Sequence, residues 1–223
     1  MLNELRPVIG RVVNPIGEAL ARTPVTPTGL TVLGTAGFCV SALSLMPTGH
    51  LFAGTLVCTF FVLADLFDGA LARAKGSSGP WGAFIDSTMD RVADAALFLA
   101  LAFWFAGGGH NNTLAVLALV SLVAGALVSY ALARAKSLGL RCDAVGLIER
   151  PERMLIGLVA TGLAGLGVPY ALHVGLWILA VGSVVTFGQR LIAIRRDGMR
   201  GEHAGPGPAP DPERIPDRDG GTA

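Results

Sequence analysis

The sequence predicts an all-α integral membrane protein: six transmembrane helices preceded by an N-terminal amphipathic helix lying in the bilayer interface. Two observations carry that prediction. Of 223 residues, 52% are hydrophobic and only 15% charged, with a mean hydropathy of +0.60, which excludes an ordinary soluble domain. The apolar residues also gather into stretches near the ~20 residues that cross a bilayer, and the cations collect in alternate connections. Lys+Arg of 17 against Asp+Glu of 16 gives no basic surplus, so nucleic acid is not an expected partner. Cys39, Cys58 and Cys142 lack metal-ligand spacing and indicate no disulfide framework, and no signal peptide is expected.

Residues 1–24 are amphipathic. Leu5, Ile9, Val12, Ile16 and Leu20 recur every three or four residues, with Glu4, Arg6, Arg11, Glu18 and Arg22 between them. That pattern predicts an interfacial helix, with a break expected at Pro7 or Pro15. Thr26-Pro27-Thr28-Gly29-Leu30-Thr31 opens the first span, at about 29–47, with Pro27 just before the helix and Thr28 as its expected N-cap. The second span covers about 51–74. A polar loop, Lys75 to Pro80, leads to the third at about 82–107, and an uncharged Gly107–Asn112 turn leads to the fourth, Leu114 to Ala135. A charged segment from Arg134 to Arg153 precedes a short fifth span, about 153–167, and the sixth covers about 174–194. The six-span domain is thus placed at 25–200, and the Gly-, Pro- and charge-rich residues 201–223 are expected to be a disordered tail.

Topology follows from charge. The loops at 47–51, 107–113 and 167–173 contain no Lys or Arg, and every cation lies at the opposite ends of the spans. The expected arrangement is a multi-pass protein of the cell membrane with both termini cytoplasmic.

The chemistry concentrates between Asp65 and Asp90. Asp65 and Asp68 are three residues apart, Asp86 and Asp90 four apart, so each pair shares one helix face. Four anions at the ends of apolar segments repel one another and are costly at membrane depth unless paired or metal-bound. Hard divalent cations with oxygen ligands are the natural neutraliser, and two sites sharing bridging carboxylates fit the count. Gly69 and Ala72 share the face of Asp65 and let a bulky ligand approach the backbone. The four aspartates fall on the cytoplasmic side.

The full pattern, D-x2-D-G-x2-A-R-x8-G-x3-D-x3-D from Asp65 through Gly69, Ala72, Arg73, Gly82 and Asp86 to Asp90, resembles the signature of the CDP-alcohol phosphotransferases. The resemblance implies transfer of a phosphatidyl or similar group from a CDP-linked lipid to an alcohol, with Mg2+ or Mn2+. It implies Asp65, Asp68 and Asp86 as the main metal ligands, and Asp90 as completing a second site and serving as general base. It further implies donor contacts from Gly69, Arg73 and Gly79 and from the segment Thr28, Gly29, Leu30 and Thr31. Thr28 stands where the family usually has Asn or Asp.

The segments Ser129–Ala135 and Ile148–Arg153 are similar to those of actinobacterial members of the family that join CDP-diacylglycerol to inositol 1-phosphate. Arg134, Arg153 and Arg190 lie on the same side as the aspartates and are expected to hold the acceptor's phosphate by bidentate hydrogen bonds. Relatives carry Lys at the position of Leu132, and Lys136 lies one helical turn on. A homodimer is expected from the resemblance. Glycerol 3-phosphate is the alternative acceptor, and a metal-ion transporter or channel the alternative of another class. Arg73 beside the acidic cluster speaks against transport, since a cation path gains nothing from it.

Overall fold

A computed structural model describes residues 15, 17–76, 79–140 and 146–203, less the side chains of Leu66 and of residues 200–203. The described residues form helices and no strands. The long helices are α1 (Pro27–Leu45), α2 (Leu51–Ala74), α3 (Pro80–Ala106), α4 (Asn112–Ser137), α5 (Arg150–Gly165) and α6 (Ala171–His203). Four of them, α1, α2, α4 and α6, are long and apolar enough to cross a membrane. The last 18 residues of α3 still include Asp90, Arg91 and Asp94, and α5 has 16 residues. α6 continues three residues into the segment expected to be a tail, and the rest of that segment lies outside the described residues. So does most of the expected interfacial helix. Residues 17–21 are helical, and Gly17 meets α2 so closely that a Cβ there would stand 2.7 Å from Ala70 Cβ.

Helix starts follow local chemistry. The expected N-cap of α1, Thr28, is corrected: Thr26 takes that place, its Oγ1 accepting from the Gly29 N–H at 3.1 Å. The reason is Pro27, whose fixed φ and missing N–H suit the first helical position rather than the one before it. Pro80 opens α3 in the same way, and Asn111 caps α4 through the Leu114 N–H at 3.1 Å. α2 ends at Lys75, after which Gly76 takes a φ of +59°, a left-handed conformation that turns the chain toward α3.

The principal helix contacts close a ring in the order α1–α2–α5–α6–α4–α3. Its core is apolar: Phe38 of α1, Met46 at its C-cap, Cys58 of α2, Leu97, Phe98 and Leu101 of α3, Leu114 of α4, Leu158 of α5 and Leu179 of α6 are all buried. The exterior is apolar as well, with Leu33, Val40, Phe60, Phe103 and Val123 exposed, the pattern of a bundle whose solvent is lipid. Lipid tails provide no hydrophobic drive between helices, so close packing of small residues matters more. α5 supplies them: a Cβ at Gly157 would stand 3.1 Å from Leu97 Cδ2, and one at Gly162 3.1 Å from Thr55 Cγ2.

Gly162→Leu should therefore wedge α5 from α2 and destabilise the fold by about 1–3 kcal/mol. The check is a thermal melt of the detergent-solubilised protein. An unchanged Tm would show that this contact does not hold the ring together.

Candidate metal and donor site

Asp65 and Asp68 project from the C-terminal half of α2, and Asp86 from the second turn of α3. One carboxylate oxygen from each lies within 4.8 Å of the others. Asp68 is buried, Asp65 half-buried and Asp86 exposed, so the cluster grades from protein interior to an open face. Asp68 is fixed from the side, since Thr31 Oγ1 on the first turn of α1 meets its Oδ2 and stands 3.1 Å from the Pro27 carbonyl. The donor set is carboxylate oxygen only, without His or Cys. That set fits a hard divalent cation, and three anions this close need one.

The cluster borders a cavity of about 780 Å³ lined by Thr26, Pro27, Thr28 and Thr31 of the α1 start and by Asp68, Gly69 and Ala72 of α2. Lys75, Gly79, Trp81, Gly82 and Asp86 close its other side. A Cβ at Gly79 or Gly82 would meet nothing within 4 Å, so the backbone at the α3 start faces open space. Of the expected donor contacts, Thr28, Thr31, Gly69 and Gly79 line this cavity. Gly29 and Leu30 are not among its lining residues; the Gly29 N–H is used by the Thr26 cap. Arg73 is exposed, its Nη1 3.5 Å from where a Gly69 Cβ would stand.

A second cavity, about 670 Å³, lies on the other side of Asp65. Asp65, Asp90 and Arg150 form its polar end, and the rest is largely apolar, with Phe38, Phe61, Met154, Leu158 and Leu163 among its walls.

Asp90 stands outside the three-carboxylate group. Its Oδ1 pairs with Arg150 Nη2 at 2.7 Å, and its Oδ2 lies 3.9 Å from Arg91 Nη1. One turn on, buried Asp94 pairs with Arg153 Nη2 and lies 3.6 Å from Arg150 Nε. The three arginines expected at the acceptor phosphate have different surroundings. Arg153 is 1% exposed and Arg190 4% exposed. Arg190 donates to the Val128 carbonyl at 2.9 Å and to Glu149 Oε1 at 3.2 Å. Arg134 is exposed at the end of α4, 3.4 Å from Ser137 Oγ. Arg153 lies against α4 at Gly125, where a Cβ would stand 2.7 Å from its Cζ, and its Nε and Nη1 have no hydrogen-bond partner among the described residues. Leu132 is half-buried and Lys136 exposed.

Two contacts escaped sequence reasoning. Lys75, read only as part of a polar loop, donates from Nζ to the Thr23 and Val25 carbonyls at 2.9 and 2.7 Å, tying the segment before α1 to the end of α2. Arg150, flanked in sequence by Glu149 and Glu152, instead reaches Asp90. Matching spacings were the available signal: Asp90 and Asp94 four apart, Arg150 and Arg153 three apart.

These features define an all-helical, membrane-type protein with a cluster of three aspartates beside a large cavity. The sequence model of the CDP-alcohol phosphatidyltransferase family matches residues 24–188, and the chain belongs to that family. It is 46% identical to the phosphatidylinositol phosphate synthase of Streptomyces avermitilis, over 92% of this chain and 86% of that one. It is 46% identical to the enzyme of the same name from Mycolicibacterium smegmatis, over 81% and 82%. Among solved structures it resembles the Mycobacterium tuberculosis phosphatidylinositol phosphate synthase with CDP-DAG bound, with a TM-score of 0.79 and 44% identity over 82% of this chain and 94% of that one. The same mycobacterial enzyme in complex with manganese and citrate gives a TM-score of 0.77 at 44% identity, over 82% and 88%.

Asp68→Asn should abolish metal-dependent binding of CDP-diacylglycerol, because the buried member of the cluster loses its charge. Titration calorimetry with and without Mn2+ is the check. Donor binding that still responds to the metal would remove Asp68 from the ligand set.

Proposed function

We propose that this chain transfers the phosphatidyl group of CDP-diacylglycerol to inositol 1-phosphate, forming phosphatidylinositol phosphate and releasing CMP. The observation that carries the reading is the Asp65–Asp68–Asp86 cluster at the wall of the larger cavity, within the family's full motif. Asp65, Asp68 and Asp86 hold one divalent ion and Asp90 completes a second site; Mg2+ or Mn2+ serves. A divalent cation bound there supplies charge neutralisation for the donor's diphosphate and the CMP leaving group.

The protein's own residues do the rest. Thr28, Thr31, Gly69 and Gly79, which line the larger cavity, contact the donor, with the open backbone at Gly79 and Gly82 admitting a bulky group; Gly29 and Leu30 shape the α1 start behind Thr28 and Thr31. Arg73 reaches the diphosphate. The apolar cavity beyond Asp65 takes an acyl chain, because its polar end adjoins the cluster and its walls match a hydrocarbon. Arg134, Arg153 and Arg190 hold the acceptor's phosphate, and the two unpartnered donors of buried Arg153 support that role. The acceptor hydroxyl attacks the phosphorus as Asp90 takes its proton.

The membrane arrangement is part of the same reading. α3 and α5 complete six spans, their charged ends facing the water-filled entrance to the site rather than lipid. Residues 1–24 lie in the interface as an amphipathic helix, residues 25–200 form the catalytic domain and 201–223 a disordered tail. Both termini and the site face the cytoplasm of the cell membrane, and the protein works as a homodimer.

The test is purified protein in detergent with CDP-diacylglycerol, Mg2+ or Mn2+, and inositol, inositol 1-phosphate or glycerol 3-phosphate in turn. CMP release with inositol 1-phosphate alone is the expected result. Product with glycerol 3-phosphate would reassign the acceptor, and no CMP with any acceptor, together with cation flux in liposomes, would indicate a transporter. In the same assay Arg153→Ala should mainly raise the KM for inositol 1-phosphate, lowering kcat/KM about 10- to 150-fold, with donor KM little changed. Equal damage to both KM values would contradict the acceptor role.

A further inference from the structure

We propose that Arg150 is a positioning residue for the transfer reaction: its guanidinium grips Asp90 Oδ1 and fixes the orientation of that carboxylate beside the acidic cluster. The inference rests on the reading of Asp90 as general base.

Helix stability gives no reason for Arg150 to stand where it does. It opens α5, and Arg153 follows within the same turn. Cations at a helix N-terminus oppose the positive end of the macrodipole. What accounts for them is the facing turn of α3. Arg153 meets Asp94, and Arg150 bridges Asp90 and Asp94, closer to Asp90 at 2.7 Å than to Asp94 at 3.6 Å. Since Asp94 already has a guanidinium partner, the tighter contact of Arg150 belongs to Asp90.

The geometry at Asp90 is asymmetric. Arg150 occupies Oδ1, while Oδ2 has only Arg91 Nη1, 3.9 Å away, among the described ion pairs. Asp90 also stands near enough to Asp65 and Asp86 to be repelled by both. A lone carboxylate in that field would turn away from the cluster, and Arg150 opposes the turn. Arg150 is itself well anchored. Pro151 stiffens the helix start, the preceding loop is tied to α6 by the Ile148 N–H donating to Thr186 Oγ1 at 3.0 Å, and a Cβ at Gly146 would stand 2.6 Å from Thr186 Cγ2. A fork that enters from this anchored backbone at the polar end of the apolar cavity fixes the carboxylate it holds.

The test is a double-mutant cycle between Arg150→Met and Asp90→Asn, with kcat, both KM values and calorimetric donor binding measured for each variant. Arg150→Met should lower kcat about 10- to 100-fold while donor affinity stays within about twofold. Arg150→Lys should recover only part of the loss, because a point charge replaces the fork. In the Asp90→Asn background, Arg150→Met should cost nothing further, since its target is gone. A purely structural arginine would damage both backgrounds alike and lower donor binding with kcat. Independent, multiplicative losses, or an unchanged kcat in Arg150→Met, would overturn the proposal. Where Arg150→Met does not yield folded protein, Arg150→Lys in the two backgrounds decides by the same criterion. Near-normal turnover in Asp90→Asn alone would instead contradict the general-base reading, which separates the two failures.

Discussion

Three carboxylate oxygens within 4.8 Å of one another, in a chain that is mostly hydrocarbon, set the constraint on which the rest of the structure depends. Their mutual repulsion is far larger beside lipid than in water, so a folded chain that keeps them together must supply compensating charge. Two devices supply it. At Asp65, Asp68 and Asp86 the protein offers a pure oxygen cage suited to a hard cation. At Asp90 and Asp94 it supplies its own cations, Arg150 and Arg153, from the facing helix. Among the described residues the chain's own arginines thus pair with Asp90 and Asp94, and the proposed divalent ion falls first to the three-carboxylate cluster.

The ring of helices makes that division possible. α2 and α3 bring their charged ends together next to the start of α1, where Thr31 steadies Asp68. α5 enters from the loop at its N-terminus and places both arginines against α3, while its glycines allow the close packing that keeps it there. Gly125 of α4 leaves room for the Arg153 guanidinium, so a helix that carries none of the aspartates contributes by what it omits. The two cavities then follow from geometry. One lies between the α1 start, the end of α2 and the start of α3 and mixes threonines, glycines and carboxylates with Trp81, and the other runs from Asp65 and Asp90 along apolar walls.

Much of this was legible in the sequence because hydropathy and charge act over long windows. The second span, read as 51–74, is α2, Leu51–Ala74, and the other five helices start within about three residues of expectation. Helical spacing paired Asp65 with Asp68 and Asp86 with Asp90, and the family resemblance singled out Asp65, Asp68 and Asp86 as the group that the structure brings together. What was not legible depended on contacts between distant segments. Nothing in Lys75 itself reveals that it holds the Thr23 and Val25 carbonyls, and Arg150 has acidic neighbours that are nearer in sequence than Asp90. The N-cap slipped by two residues because Pro27 and two flanking threonines allow two starts, and only the Gly29 N–H decides between them. The reach of the arginines is set by rotamers, which sequence spacing leaves open.

The central claim is that Asp65, Asp68 and Asp86 form a divalent-cation site. Anomalous diffraction from crystals grown with Mn2+ tests it most directly. The account predicts an anomalous peak within about 2.0–2.6 Å of an oxygen from each of the three carboxylates. A protein that binds Mn2+ with its only peak elsewhere, or none at this cluster at saturating Mn2+, would contradict it.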